Sequence, residues 1–147
     1  MKNKGCVPMF IKQLTVFLEN KAGRLEEVTQ ILEDNKINIL SITLADTSEF
    51  GVLRIIVSDP KRGLESLLEA NFSAKLVDVI GVKIQHQVGK LHEMLKCLSK
   101  EKISISYMYL LDSGKLPSMI IKTSDNERAT SLLKENNYEI VREDQVY

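Results

Sequence analysis

The polar residues best placed to bind a small molecule form a short segment, Asn20-Lys21-Ala22-Gly23, which ends in glycine and precedes a helical pattern. Glycine lets the backbone approach a ligand closely. The helix that follows would present unpaired N–H groups and a partial positive charge, which suit a carboxylate. The Asn20 amide can both donate and accept, which would suit the charged ends of an amino acid. The alternative is that Asn20 is an ordinary turn residue that bonds its own backbone.

Residues typical of catalysis or of metal binding are not grouped in this sequence. His86 and His92 are six residues apart, with no cluster of Cys, Asp or Glu at metal-ligand spacing. The chain lacks a Gly-rich phosphate loop, a nucleophile elbow, a zincin helix and a Cys-x-x-Cys pair. We therefore expect a protein that is not an enzyme, with no metal and no cofactor.

The charge and the apolar pattern limit the partners. Twenty basic residues balance twenty acidic ones in a chain of 147 residues, so long-range attraction to nucleic acid or to an anionic membrane is weak. No run of about 18 apolar residues could span a bilayer, and the two cysteines are too few for a disulfide scaffold. These features predict a cytoplasmic protein with no nucleic-acid or membrane partner.

The sequence repeats itself at a constant offset of 66 residues, without a gap. Gly23-Arg24-Leu25 aligns with Gly89-Lys90-Leu91, and Lys36-Ile37-Asn38-Ile39 aligns with Lys102-Ile103-Ser104-Ile105. A match that continues through helices, strands and turns indicates duplication. We predict two tandem repeats, over residues 10–79 and 80–147.

Each repeat predicts the element order βαββαβ. In the first, Leu14, Val16 and Leu18 alternate with polar residues, as in a half-buried strand. Helices are expected over 24–35 and after Asp59-Pro60, where an N-cap residue precedes proline; further strands are expected near 37–45, 53–57 and 74–79. In the second repeat, a hairpin is expected around Asp112-Ser113-Gly114 and a closing strand over 138–142. The fold class is α+β: two ferredoxin-like units, each an antiparallel sheet with helices on one face.

The segment from Leu14 to Leu25 resembles the opening strand, loop and helix start of ACT domains, and Ile37-Asn38-Ile39 resembles the start of their second strand. Counting both repeats, the resemblance covers nearly the whole chain. It implies a regulatory module that binds an amino acid or a related small molecule, commonly between two domains. In that family, the loop asparagine and the asparagine at the start of the second strand contact the ligand. Asn20 and Asn38 match these positions, together with the loop backbone over Lys21, Ala22, Gly23, Arg24 and Leu25.

The chain departs from the family pattern in two ways. Ala22 and Val88 stand where the family usually has proline before the loop glycine, which changes the stiffness of the turn but removes no contact. The second repeat has His86 in place of Asn20 and Ser104 in place of Asn38. The two sites would then be chemically unequal, with Asn20 facing Ser104 or Asn38 facing His86, and with one or two ligands per chain.

The predicted function is a regulatory protein that binds an amino acid at the interface between its repeats and signals to a partner enzyme or regulator. The alternative is a structural interaction module that uses its sheet edges or faces and binds no small ligand. We also expect a homo-oligomer, at least a dimer, because Phe17, Ile39, Tyr107 and Tyr109 would lie on exposed sheet faces.

Overall fold

The computed structural model describes residues 10–47, 49–112 and 117–147. The chain divides into two compact units. The first consists of Lys12–Val77 together with Tyr147, and the second of Asp78–Val146 together with Phe10 and Ile11. The boundary falls inside one long strand, Ser73–Lys83. The ranges expected from the sequence, 10–79 and 80–147, stay a prediction.

The first unit is an antiparallel sheet packed against two helices. Its elements are β1 (Ile11–Glu19), α1 (Arg24–Asp34), β2 (Ile39–Asp46), β3 (Phe50–Val57), α2 (Pro60–Glu69) and the first part of β4 (Ser73–Lys83). The third strand in chain order lies between the first and the second and runs antiparallel to both, and the sheet order is β2-β3-β1-β4.

The core of this unit follows from the period of two in its strands. Leu14, Val16 and Leu18 are buried, and they pack with Val28 and Leu32 of α1 and Leu67 of α2. Because alternate residues of a strand share one face, both helices cover the same side of the sheet. Burial of such side chains at about 25 cal/mol per Å² stabilises the unit.

The second unit repeats this plan. Its elements after β4 are α3 (Lys90–Lys100), β5 (Ile105–Asp112), β6 (Pro117–Thr123), α4 (Asn126–Glu135), β7 (Ile140–Val141) and a 3₁₀ helix (Glu143–Gln145). Strand β4 pairs antiparallel with β6 and with β7, and β5 pairs antiparallel with β6. Its core contains Ile80, Val82, Met94, Leu98, Ile121 and Leu133.

The offset of 66 residues is visible in the backbone. The bounds of α3, β5 and α4 are those of α1, β2 and α2 moved by 66 positions. Residues with positive φ recur at the same offset: Gly23 and Gly89 at +89° and +88°, and Asn71 and Asn137 both at +67°. The predicted fold class, two ferredoxin-like βαββαβ units, is therefore confirmed.

The sequence predicts that the second unit contains a closing strand over 138–142 and a hairpin around Asp112-Ser113-Gly114. Its closing strand, Ile140–Val141, is shorter than the predicted 138–142. The Lys83 N–H of β4 also donates to the Glu139 carbonyl at 3.0 Å, and after Val141 the chain turns into the 3₁₀ helix. There the Arg142 N–H donates to the Gln145 side chain at 2.8 Å. The hairpin predicted around Asp112-Ser113-Gly114 lies largely outside the described residues.

Candidate functional site

The predicted loop of the first unit is a tight turn between β1 and α1. The Lys21 N–H donates to the Glu19 carbonyl at 2.8 Å, and the Arg24 N–H donates to the Lys21 carbonyl at 3.3 Å. Gly23 has a φ of +89°, a backbone conformation that disfavours residues with a Cβ. The glycine is thus needed for the turn itself, whether or not a ligand binds.

The N-terminus of α1 is open. Gly23 is its N-cap residue and supplies no side-chain hydrogen bond, so the first-turn N–H groups have no side-chain cap. By contrast, α2 is capped by Asp59, which accepts from the Arg62 N–H at 3.2 Å. The difference recurs in the second unit, where α3 starts uncapped after Gly89 and α4 is capped by Asp125. In both loops the first helical N–H donates to a loop carbonyl, Arg24 to Lys21 at 3.3 Å and Lys90 to Gln87 at 3.2 Å. The next N–H groups of each helix have no side-chain cap and are the ones suited to an anion.

Asn20 lies at the end of β1, exposed to solvent. Its Oδ1 would be 3.8 Å from a Cβ placed on Gly51, and the Leu44 side chain would be 3.4 Å away. Gly51 pairs with Leu18 and Asp46 on the neighbouring strands. Gly51, a buried residue that sequence reasoning missed, therefore lies next to the Asn20 amide with no side chain of its own.

The two cations of the loop already have carboxylate partners. Arg24 contacts Glu19 at 2.9 Å and Glu27 at 3.3 Å, and Lys21 contacts Glu19 at 3.2 Å. The hydrogen bond and charge of Lys21, with Arg24 adding to them, hold the pKa of the Glu19 carboxyl below its ordinary value. An anion at this loop would therefore bind the backbone N–H groups more readily than these side chains.

The side chains of Ala22 and Leu25, also in the predicted loop, differ in their exposure to solvent. Ala22 is exposed, and Leu25 is half-buried and packs against the first core. The Lys21-to-Leu25 segment can thus offer its backbone, while the Leu25 side chain serves the fold.

Asn38 lies at the far end of the same sheet. It precedes β2, whose first residue Ile39 is opposite Val57, whereas the last residue of β2, Asp46, is opposite Gly51. At about 3.3 Å per residue, this strand separates Asn38 from the Asn20 end by roughly 20 Å. One unit therefore does not bring Asn20 and Asn38 to one ligand. The pairings expected across the repeats, Asn20 with Ser104 and Asn38 with His86, stay predictions.

The backbone at Asn38 is bonded to the end of β3. Its N–H donates to the Ser58 hydroxyl at 2.9 Å, and its carbonyl accepts from the Ser58 N–H at 2.9 Å. Ser104 and Ser124 form the same two bonds, at 3.1 and 2.9 Å. At both strand starts the main chain is satisfied and only an exposed side chain is left for a ligand.

The loop of the second unit has the same shape and a more apolar surface. His86 is exposed and lies beside a cavity of about 550 Å³ that is lined mainly by apolar side chains. The lining includes Ile84, Val88, Leu91, Leu110, Pro117 and Met119. Pro117 aligns with Gly51, so this position has a side chain in the second unit and none in the first.

Two features of the described residues concern metal binding and membrane insertion. Residues 10–47, 49–112 and 117–147 contain no group of three or more His, Cys, Asp and Glu side chains that could hold a metal ion. The helices among these residues are too short or too polar to cross a membrane.

Comparisons with known proteins place the chain in a family. Protein BT0572 of Bacteroides thetaiotaomicron is similar over 95% of this chain and 96% of its own, with 35% sequence identity and a TM-score of 0.88. The regulatory subunit of aspartate kinase from Thermus thermophilus, in its ligand-free form, shares the fold (14% identity, 88% and 95% coverage, TM-score 0.57). So does the corresponding subunit from Thermus flavus (18% identity, 88% and 92% coverage, TM-score 0.56). No curated protein matches the chain. The sequence profile of the ACT domain pair matches residues 9–147, and the chain therefore belongs to the ACT domain pair family.

Proposed function

We propose that this protein is a regulatory module that binds a free amino acid at the loop between β1 and α1. The observation that carries the proposal is the N-terminus of α1 behind Gly23, which has no side-chain cap, together with the exposed Asn20 amide at the end of β1. Backbone N–H groups at a helix start hold a carboxylate. The Asn20 side chain then orients the rest of the ligand through hydrogen bonds.

The charges around the loop favour a zwitterion over a simple anion. Glu26 and Glu27 lie in the first turn of α1, and Glu19, whose pKa is lowered by Lys21 and Arg24, adds a third carboxylate at the loop. These carboxylates repel an anion but attract the ammonium group of an amino acid. A ligand with both charges satisfies the helix N-terminus and the acidic residues together.

Regulation requires that the ligand bind two states of the protein with different affinity. The relatives described as regulatory subunits of aspartate kinase share the fold, and this supports a module that signals to a partner enzyme or regulator. Placement of the ligand at the interface between the repeats stays a prediction from the family resemblance.

A first experiment identifies the ligand. A thermal-shift screen against the twenty amino acids should find one or a few that raise the melting temperature, because a ligand stabilises the folded state by RT ln(1 + [L]/Kd). Calorimetry on the hit then tests the site. Asn20→Ala should weaken binding about ten- to a hundredfold, the cost of one hydrogen bond to a charged group, with the fold intact.

The matched control is Gln30→Ala, which removes an exposed amide of similar chemistry from the middle of α1, where it bonds Asp34 at 2.9 Å. Its binding should equal that of the parent. An amino acid that binds Asn20→Ala and the parent equally tightly would show that the site lies elsewhere. If none of the twenty binds, the proposed function is wrong.

The alternative function is an interaction module that uses its sheet edges. Leu44 on β2 and Leu110 on β5 are 52% and 62% exposed, and both strands are at the edge of their unit's sheet. An amino-acid screen without hits, together with capture of a protein partner that is lost in Leu44→Lys or Leu110→Lys, would favour this alternative.

A further inference from the structure

Three phenylalanines of the first unit converge on one concave surface. Phe17 of β1, Phe50 of β3 and Phe72 before β4 line a cavity of about 580 Å³. We call this cavity the aromatic groove; it is completed by Glu19, Arg24 and the turn from Ala70 to Ser73. The chain contains only four phenylalanines, so three of them meeting at one place is a specific arrangement.

The fold does not require this arrangement. At the offset of 66 residues, the second repeat has Lys83, Leu116 and Tyr138 in place of the three phenylalanines. A cavity of about 510 Å³ lies at the aligned position and includes Lys83 and Tyr138. The same backbone therefore builds a groove in both units, and only the first is lined with three phenyl rings.

Two of the rings are incompletely covered. Phe17 is 38% exposed and Phe50 is 47% exposed, whereas Phe72 is partly buried and packs against the core. Single exposed apolar side chains are ordinary, but several in one concavity mark a binding site. A planar apolar group bound there would remove both rings from water.

Two cationic side chains lie close to two of these rings. The Arg24 guanidinium lies 5.9 Å from the centre of the Phe72 ring, and the Lys75 ammonium lies 5.9 Å from the centre of the Phe17 ring. Arg24 also contacts Glu19 at 2.9 Å. Lys21, Arg24 and Lys75 carry three positive charges against the three negative charges of Glu19, Glu26 and Glu27, so the rim has no net charge. Lys75, next to the Phe17 ring, is the cation placed to meet a ligand anion.

We infer that the aromatic groove binds a small molecule that combines an aromatic ring with a carboxylate. The ring packs against Phe17 and Phe50, and the carboxylate bonds the Lys75 ammonium, which lies next to the Phe17 ring. An aromatic amino acid and an arylacetic acid share this chemistry. The amino acid also carries an ammonium group, which donates a hydrogen bond to the Glu19 carboxylate. The inference rests on the proposed function in that the module binds a small ligand, but it uses side chains other than Asn20.

The test is calorimetry on the full chain with four probes. Phenylacetate and L-phenylalanine carry both the ring and the carboxylate, acetate lacks the ring, and benzyl alcohol lacks the carboxylate. We expect at least one of the first two to bind, and acetate and benzyl alcohol to bind about tenfold more weakly or not at all. Binding of phenylacetate identifies an aryl carboxylate in general, and binding of L-phenylalanine alone identifies the amino acid.

Substitutions then assign the binding to the groove. Phe50→Ala should weaken binding about tenfold, and Lys75→Gln should do the same by removing a charge-assisted contact. Leu68→Ala is the control for Phe50, since Leu68 is 49% exposed on α2 and is not part of the groove. Lys61→Gln on α2 is the control for Lys75. Both controls should bind like the parent, and circular dichroism should show all four variants folded.

The inference is overturned if neither aromatic carboxylate binds at millimolar concentration, or if Phe50→Ala and Lys75→Gln both bind as tightly as the parent. These outcomes can be separated from a failure of the proposed function. If Asn20→Ala alone abolishes binding, the loop is the site and the groove is not. If another amino acid binds and the aromatic ones do not, the proposed function stands and the ligand class is wrong.

Discussion

At the residue scale, the loops of the two repeats have the same backbone conformation and differ in their side-chain chemistry. Gly23 and Gly89 have nearly the same positive φ, while Asn20 and His86 occupy the same loop position. The backbone conformation depends on sterics that both copies must satisfy. The exposed side chains of the loop are free of that constraint. The two candidate loops therefore have the same backbone conformation and different side-chain chemistry.

Replacement of the loop glycines tests this separation. Gly23→Ala should lower the free energy of unfolding by about 1 kcal/mol, because alanine is strained at positive φ. A Cβ at Gly23 or Gly89 would meet no atom within 4 Å, so the loss is conformational and should be similar for Gly89→Ala. Urea denaturation measures both.

The control is Gly23→Asn, since asparagine tolerates the left-handed region better than alanine does and should lose less stability. Equal losses for alanine and asparagine, or no loss in either, would contradict a conformational origin.

At the element scale, much of the fold could be predicted because its signals are local. The alternation of Leu14, Val16 and Leu18, the Asp59-Pro60 helix start and the 66-residue offset each lie within a short window of sequence. The candidate site depends on pairing between distant segments. Asn20 lies beside Gly51 because β1 pairs with β3, and Phe17, Phe50 and Phe72 meet only once the sheet has formed. The sequence also does not reveal that Asn20 and Asn38 lie at opposite ends of that sheet.

The helix caps provide an element-scale prediction. Asp59 accepts from the Arg62 N–H at 3.2 Å, and Asp125 accepts from the Arg128 N–H at 3.1 Å. Asp59→Ala and Asp125→Ala should each reduce the free energy of unfolding by about 1 kcal/mol, because each leaves a helix start uncapped. Thermal and urea unfolding of the two variants measures this.

Asn at the same positions keeps an oxygen acceptor, so Asp59→Asn and Asp125→Asn should retain most of the stability. If the alanine and asparagine variants prove equally stable, the caps do not contribute as proposed.

At the scale of the whole molecule, the apolar surface suggests where copies of the chain meet. The sequence pointed to Phe17, Ile39, Tyr107 and Tyr109, but in the structure only Phe17 of these counts as exposed. Larger exposed fractions belong to Leu44 on β2 and Leu110 on β5. These two strands are the terminal ones in the sheet order of the described residues, and edge strands favour pairing with another chain.

We therefore predict a dimer in solution that forms through one of these edges. Sedimentation velocity should show the dimer at micromolar concentration, and Leu44→Lys or Leu110→Lys should weaken it at least about tenfold, because an inserted charge must be desolvated in the contact. Leu68→Lys alters a comparably exposed leucine on α2 (49%) and should leave the dimer unchanged. A parent protein that stays monomeric at high micromolar concentration would exclude self-association. A dimer that resists both edge substitutions would have to form through another surface.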